Sequence, residues 1–324
     1  MTKLLRLYLV MLRYRIAAMV AMFMLLGAAS TGAVHLGLPY VWAALALASS
    51  YVAATALNDL ADEEIDRVNH PLDAGRPLVE GTASRRELVA LHLVASLLTV
   101  AAAAQLGLRA VGLLGAALAI SQVYSAPPVR LSYRVAGAPI ALGIAYVLVP
   151  YSLGLAAAGG TLRHATSRLT CALFLLFTAR IVLKDFRDRA GDAQYGKPTL
   201  LLRYGKTATC ATSLAALVGG DAVLVLALDP RLAVIVQPLV AGIAWMLHMV
   251  WRAEDERAEQ VAIGLGARLG NGLLLSVLAW MLVDGSGGSP AGACTVAGGV
   301  SALFLFSTIT LASRPEEIVL GYKG

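Results

Sequence analysis

Long apolar runs alternate with short polar breaks along the chain, each run close to the roughly 20 residues that a bilayer-spanning helix needs. Ten such runs lie near residues 16–34, 39–57, 88–108, 110–127, 136–158, 167–183, 208–228, 232–251, 262–283 and 291–312. The breaks carry turn chemistry, as in Gly37-Leu38-Pro39, Asp229-Pro230 and the Gly/Ser-rich stretch from Asp284 to Pro290. The third and fourth runs follow so closely that Arg109 is expected at a hairpin tip. The first run is long enough to span and lacks a small-residue cleavage context, so it reads as a bundle helix and not a cleavable leader. The pattern predicts an all-α integral membrane protein, a single polytopic domain over residues 1–324.

Composition agrees. Of 324 residues, 58% are hydrophobic and 14% charged, against about 45–50% and about 25% in soluble domains; mean hydropathy is +0.73. Charge then orients the bundle. With the amino terminus in the cytoplasm, one side collects Lys3 to Arg15, Arg67 to Arg86, Arg130 with Arg134, Lys184 to Lys206, Arg252 to Arg268, and Arg314 with Lys323. The other side keeps only Arg109, Arg163, Arg168 and Arg231. This is the positive-inside signature, and it fits a bacterial-type plasma membrane. The net charge of +6 follows from that topology; no nucleic-acid module is evident, and the bilayer is the expected surrounding. Cys171, Cys210 and Cys294 are unclustered in apolar runs, and the five histidines show no metal-ligand spacing.

Two acidic stretches interrupt this picture, both on the basic side. Asn58-Asp59-Leu60-Ala61-Asp62-Glu63-Glu64-Ile65-Asp66 follows the second run, and Lys184-Asp185-Phe186-Arg187-Asp188-Arg189-Ala190-Gly191-Asp192 follows the sixth. In each, aspartates fall at positions 0, 3 and 7, a spacing that stacks them on one face of a helix about 10 Å long. Each is followed by a basic-proline step, Arg76-Pro77-Leu78 and Lys197-Pro198-Thr199-Leu200. Solvated loop charges would explain either stretch alone; the repeat of spacing and flanks favours one site assembled from two halves. An all-oxygen row suits a hard cation, foremost Mg2+. Aspartate-held divalent ions commonly bridge phosphate oxygens and make diphosphate a better leaving group. Arg76, Arg130, Lys184, Arg187 and Lys197 are the candidates to surround that anion, and an apolar bundle shelters the carbocation left behind.

These residues, with Tyr124-Ser125-Ala126-Pro127-Pro128-Val129-Arg130-Leu131, resemble the UbiA superfamily of intramembrane prenyltransferases, in order from about residue 10 to about residue 284. The Tyr-Ser-x-Pro-Pro loop and the run from Asp66 to Leu78 most resemble the branch with chlorophyll, homogentisate and digeranylgeranylglyceryl phosphate synthases. The resemblance implies nine helices around a central cavity open to the cytoplasmic side, capped by segments 58–86 and 184–206. It implies Mg2+-dependent transfer of the prenyl group of an isoprenoid diphosphate to an aromatic, lipid or other nucleophilic acceptor. Asn58, Asp59, Asp62, Asp66, Asp188 and Asp192 would take the metal and diphosphate roles, with Asp185 in an extra acidic position. Tyr124 would face the diphosphate or the nascent cation. The same superfamily contains terpene cyclases, in which the substrate's own double bonds attack the cation. A transferase needs a polar group to orient its nucleophile, a cyclase an apolar pocket with aromatic faces.

Three features depart from the family pattern. Relatives often carry Lys near position 132, here Ser132, and Arg130 or Arg134 is the expected substitute. The run 291–312 would be a tenth helix, crossing or dipping into the membrane, and the loop from Arg252 to Arg257 is densely charged. Arg180 either points into the cavity or snorkels to the interface. Arg13 and Arg15 read as topology anchors, Tyr51 and Thr55 as pocket-lining or packing residues, and Asp221 as an intramembrane acid with no evident partner.

Overall fold

The computed structural model describes residues 3–32, 37–71, 75–161 and 163–285, with residue 298. The run 291–312 and the tail after it lie outside the described residues, Gly298 apart. Among the described residues thirteen α-helices follow in order: α1 Lys3–Met11, α2 Tyr14–Ala29, α3 Leu38–Asn69, α4 Pro77–Glu80, α5 Arg85–Ala104, α6 Leu108–Ser125, α7 Gly137–Gly143, α8 Val149–Ala157, α9 His164–Ile181, α10 Arg189–Gln194, α11 Leu200–Ala227, α12 Pro230–Arg252 and α13 Glu256–Gly285. A π-turn, Ile144–Leu148, joins α7 to α8, and among the described residues there is no strand.

Each of the first nine apolar runs falls on a helix. Among the described residues seven spans are long and apolar enough to cross a membrane, α3, α5, α6, the continuous stretch from α7 to α8, α11, α12 and α13, and an eighth results if the bent pair α1–α2 is counted as one. Helix α9, with Arg168 and Arg180 in its 18 residues, is not among them. The hairpin tip between α5 and α6 is Gln105 to Gly107, with Gly107 at φ +95°; Arg109 lies in the first turn of α6 instead. Leu97, Leu226 and Val234 are 71%, 72% and 72% exposed on the outer faces, an arrangement that lipid tolerates and water does not.

Local chemistry sets the helix ends. Ser84 and Glu87 form a capping box at α5, Thr199 caps α11, and Asp229 with Pro230 starts α12. The core is built from pairs: α3 on α5, α9 on α11, α12 on α13 and α2 on α8. The last contact is backbone on backbone. A Cβ at Gly27 would stand 2.0 Å from the Tyr151 carbonyl oxygen, and one at Gly154 1.8 Å from that of Met24. Small residues allow such approach, and in a bilayer close van der Waals packing holds helices together.

Helix α3 positions the site. Its 32 residues extend about 48 Å, well past a hydrocarbon core of about 30 Å. The apolar first part is membrane-length, so Asn58 onward projects beyond it as a continuation of the same helix.

Candidate active site

The chain turns sharply between α1 and α2, where Arg13 takes a left-handed conformation (φ 44°). That turn delivers its guanidinium to α3, where Nη2 donates to both carboxylate oxygens of Asp59 at 2.7 Å and to the Gly75 carbonyl at 3.2 Å. Arg13 therefore anchors the first acid row and is not confined to a topological role. Arg76, at the start of α4, donates from Nη1 to Asp59 at 3.2 Å and to Asp66. Arg130, also left-handed, donates to Asp62 at 3.2 Å and to the Ala61 carbonyl at 3.1 Å, with its guanidinium 3.9 Å above the Tyr133 ring. Arg130, and not the exposed Arg134, thus meets the first row, while Ser132 is buried.

The helical stacking expected for the rows holds only in part. Asp62 leaves helical geometry (φ −111°, ψ 15°), so α3 kinks within the motif. The second motif is not one helix: Asp185 lies on a 3-10 turn, Val182–Phe186, and Asp188 caps the six-residue α10 that carries Asp192. The break follows from tertiary contact. Gly191 sits against the last turn of α3, where a Cβ would lie 2.7 Å from both the Ile65 carbonyl oxygen and Asn69 Nδ2. Its N–H donates to Asn69 Oδ1 at 2.6 Å.

Two further links join the rows. His70 Nε2 lies 3.1 Å from Asp188 Oδ1. The Lys197 ammonium stands 3.3 Å from Asp192 Oδ1 and 3.8 Å from Asp62 Oδ2, so one cation spans the gap. Asn69 and His70 carry no motif signal of their own. Their place at the end of α3, a helical turn beyond Asp66, is the only hint in the chain.

Both rows open on one cavity of about 1150 Å³. Asn58, Asp62, Asp66, Arg76, Tyr124, Lys184, Asp188, Asp192 and Lys197 line it, as do Arg187, Tyr51 and Thr55. Asp59, Arg130 and Asp185 are not among its lining residues. Asp59 is taken up by Arg13 and Arg76, and Asp185 lies 3.4 Å from Lys184 Nζ beside Ser132 and Thr199. Deeper in the cavity Tyr51, Tyr146 and Phe177 form an aromatic ladder at 5.8 Å spacings, with Tyr146 on the π-turn. Such turns recur at functional sites. Asp221 does have a partner, Gln237 Nε2 at 3.0 Å, far along the chain.

Burial and neighbouring charge split the second row. Burial alone would raise the Asp188 carboxyl, but Arg187, the His70 hydrogen bond and Lys184 outweigh it and hold it well below the usual carboxylate range. Burial pushes Asp192 up to about 6, against the pull of Lys197 and Lys184, and it pushes His70 down. The Asp192 carboxylate is 1% exposed and accepts no hydrogen bond from protein. Carboxylates of both rows lining one cavity, with the buried Asp192 accepting no hydrogen bond, are a donor set that suits a hard cation. Among the described residues, no three His, Cys, Asp or Glu side chains converge as a closed metal site.

Residues 17–272 match the UbiA prenyltransferase family. A homogentisate phytyltransferase from Synechocystis sp. is 35% identical over 174 residues, 51% of this chain and 54% of that protein. A digeranylgeranylglyceryl phosphate synthase from Methanopyrus kandleri is 31% identical over 205 residues, 62% and 70% of the two chains. The chain spans about half the length of most of the curated relatives it matches. Among solved structures, an apo UbiA homologue from Aeropyrum pernix superposes with a TM-score of 0.64 at 24% identity, over 83% of this chain and 97% of that one. A UbiA homologue from Archaeoglobus fulgidus bound to GPP and Mg2+ gives 0.59 at 20% identity, over 95% and 99%.

Proposed function

The chain belongs to the UbiA prenyltransferase family, and we propose that it ionises an isoprenoid diphosphate with Mg2+ and transfers the prenyl group to a nucleophilic acceptor within the membrane. With several apolar membrane-length helices it is an integral membrane protein. The observation that carries the reading is the single ammonium of Lys197 reaching both Asp62 and Asp192, which makes the two acid rows walls of one chamber.

In this reading Asn58, Asp62, Asp66, Asp188 and Asp192 offer oxygen atoms to divalent ions, while Asp59 and Asp185 act from behind by holding basic residues. The Asn58 amide N–H donates to Asp62 at 3.0 Å and so orients its own carbonyl oxygen. When bound, the metal would neutralise the diphosphate oxygens and improve the leaving group. Arg76, Lys184, Arg187 and Lys197 bind that anion, exchanging internal carboxylate partners for phosphate oxygens. The allylic carbon–oxygen bond then breaks, and diphosphate departs with the electron pair. Tyr124, Tyr146 and Phe177 present ring faces or hydroxyls to the cation and exclude water. The acceptor's nucleophilic atom bonds to the cationic carbon and gives up a proton. The positive-inside pattern puts the chamber's mouth in the cytoplasm, and residues 58–86 and 184–206 serve as its cap.

The aromatic ladder is also what intramolecular cyclisation would use, so one experiment separates the readings. Protein in nanodiscs is given geranyl, farnesyl and geranylgeranyl diphosphates with Mg2+, first alone and then with phenolic acceptors. Prenylated acceptor with stoichiometric diphosphate is expected. Cyclic hydrocarbon without acceptor would replace transfer by cyclisation, and no turnover of any diphosphate would overturn both.

A further inference from the structure

Three polar side chains of the cavity take no part in that chemistry. Arg180 is the penultimate residue of α9, and Arg268 and Asn271 sit on α13. Arg180 Nη1 donates to Asn271 Oδ1 at 3.0 Å and lies 3.1 Å from Met19 Sδ on α2. Arg268 is three residues before Asn271, hence on the same helix face. Gly264, Ala267, Arg268 and Asn271 all line the cavity, the i, i+3, i+4, i+7 face of α13. The two small residues leave room beside the polar ones.

Position makes this group informative. Arg268 and Asn271 lie 12 and 15 residues into α13, within its apolar run and on the face that lines the cavity. Arginines within apolar spanning segments are costly and characteristically face a polar cavity. Ile16, Met19 and Val20 of α2 line the same cavity and are apolar, with Met19 directly against Arg180. The result is an amphiphilic lining in which apolar and basic side chains adjoin. Arg180 precedes Lys184 by four residues, across the junction of α9 with the 3-10 turn Val182–Phe186, so the basic group adjoins the proposed diphosphate residues along the chain. Tyr146 and Phe177 line the same cavity as this group.

Resting on the transferase reading, we propose that Arg180, Asn271 and Arg268 form an oxyanion subsite that selects acceptors bearing a carboxylate or phosphate group and aims their nucleophile at the prenyl carbon. Bidentate guanidinium–oxyanion pairing supplies the recognition. Asn271 presents Arg180 in the required orientation and contributes an amide N–H to the same anion.

The test uses the full chain in nanodiscs with Mg2+ and geranyl S-thiolodiphosphate, an unreactive analogue that keeps oxyanions out of the first site. Calorimetry then measures 4-hydroxybenzoate, phenyl phosphate and the neutral methyl 4-hydroxybenzoate. At least one anionic probe should bind at least about tenfold more tightly than the ester, the worth of one charge-assisted hydrogen bond; which of the two does so identifies carboxylate or phosphate as the natural group. Arg180→Gln, Arg268→Gln and the isosteric Asn271→Asp should each remove that preference while binding the thiolodiphosphate within about twofold of wild type. Equal affinity for acid and ester in the wild type overturns the subsite without need of any variant. So does a preference that survives all three substitutions, or a parallel loss of thiolodiphosphate binding, which would assign these residues to the diphosphate. Failure of the wild type to bind the thiolodiphosphate would instead sink the transferase reading, and is scored separately.

Discussion

Asp59, Asp62 and Asp66 ride on a 32-residue helix already anchored in the membrane, whereas Asp185, Asp188 and Asp192 are spread over a 3-10 turn, a junction and a six-residue helix. The spacing in sequence is the same; the means of support differ. The first row is held by the continuity of α3, and its carboxylates are met by guanidinium groups from three distant segments, Arg13, Arg76 and Arg130. The second row has little helix of its own and borrows its place from the first, through Asn69, His70 and the close seat of Gly191. Only the second row ends in a buried carboxylate that accepts no hydrogen bond, Asp192. The comparison teaches that one row is the frame and the other is docked on it, so damage should pass asymmetrically between them.

The largest effect should come from removing a cavity-facing oxygen donor in either row. Asp62→Ala and Asp192→Ala are expected to lower diphosphate release by about 10²–10³-fold or more, the scale of losing a main electrostatic stabiliser. Membrane insertion and the unfolding temperature should change little for Asp192. Turnover retained in either variant, read by a diphosphate-release assay, breaks the metal assignment for that row. Chelation with EDTA should abolish release from the wild type, and Mg2+ should restore it; activity that persists under chelation removes the divalent ion from the reading.

Arg76→Ala touches only the frame. It strips a buried partner from Asp59 and Asp66, a change that costs about 3–5 kcal/mol of stability in comparable buried pairs, and should also raise KM for the diphosphate. An unchanged KM alongside a lowered Tm would leave Arg76 a purely structural clamp. Gly191→Ala touches only the docking. Its added Cβ must displace the Ile65 carbonyl or Asn69, an overpacking penalty of about 1–3 kcal/mol, with kcat falling while thiolodiphosphate binding through the first row persists. His70→Asn is the mildest, expected to cost about tenfold in kcat by loosening Asp188, as outer-shell partners of metal ligands do. If Gly191→Ala and His70→Asn leave kcat intact, the second row stands without the first, and the asymmetry is wrong.

Helices were legible because a bilayer leaves the backbone no alternative. Every amide must bond within its own segment, so an apolar run of sufficient length is a helix whatever surrounds it. The acid motifs were legible because carboxylates at the end of such a run stand out against 58% apolar residues. The pairing of Arg13 with Asp59 was not legible because it depends on a sharp turn between α1 and α2, which carries no Pro or Gly signal. Asp59 and Asp185 were indistinguishable by spacing from the aspartates that face the cavity. Which side they present depends on the kink at Asp62 and the break before α10, and both answer to neighbours far away in sequence. Asn69 and His70 mattered only once α10 had landed on them.

The chain alone determined a helical membrane bundle with two matched acid rows, since burial in lipid and local hydrogen bonding act residue by residue along a segment. Tertiary structure decided which carboxylates open on the chamber, which basic residues hold the rest, and that Arg180 meets Asn271 across α9 and α13. Those outcomes are set by pairwise distances between segments far apart in sequence, 118 residues for His70 and Asp188 and 161 for Met19 and Arg180. No local pattern encodes such distances.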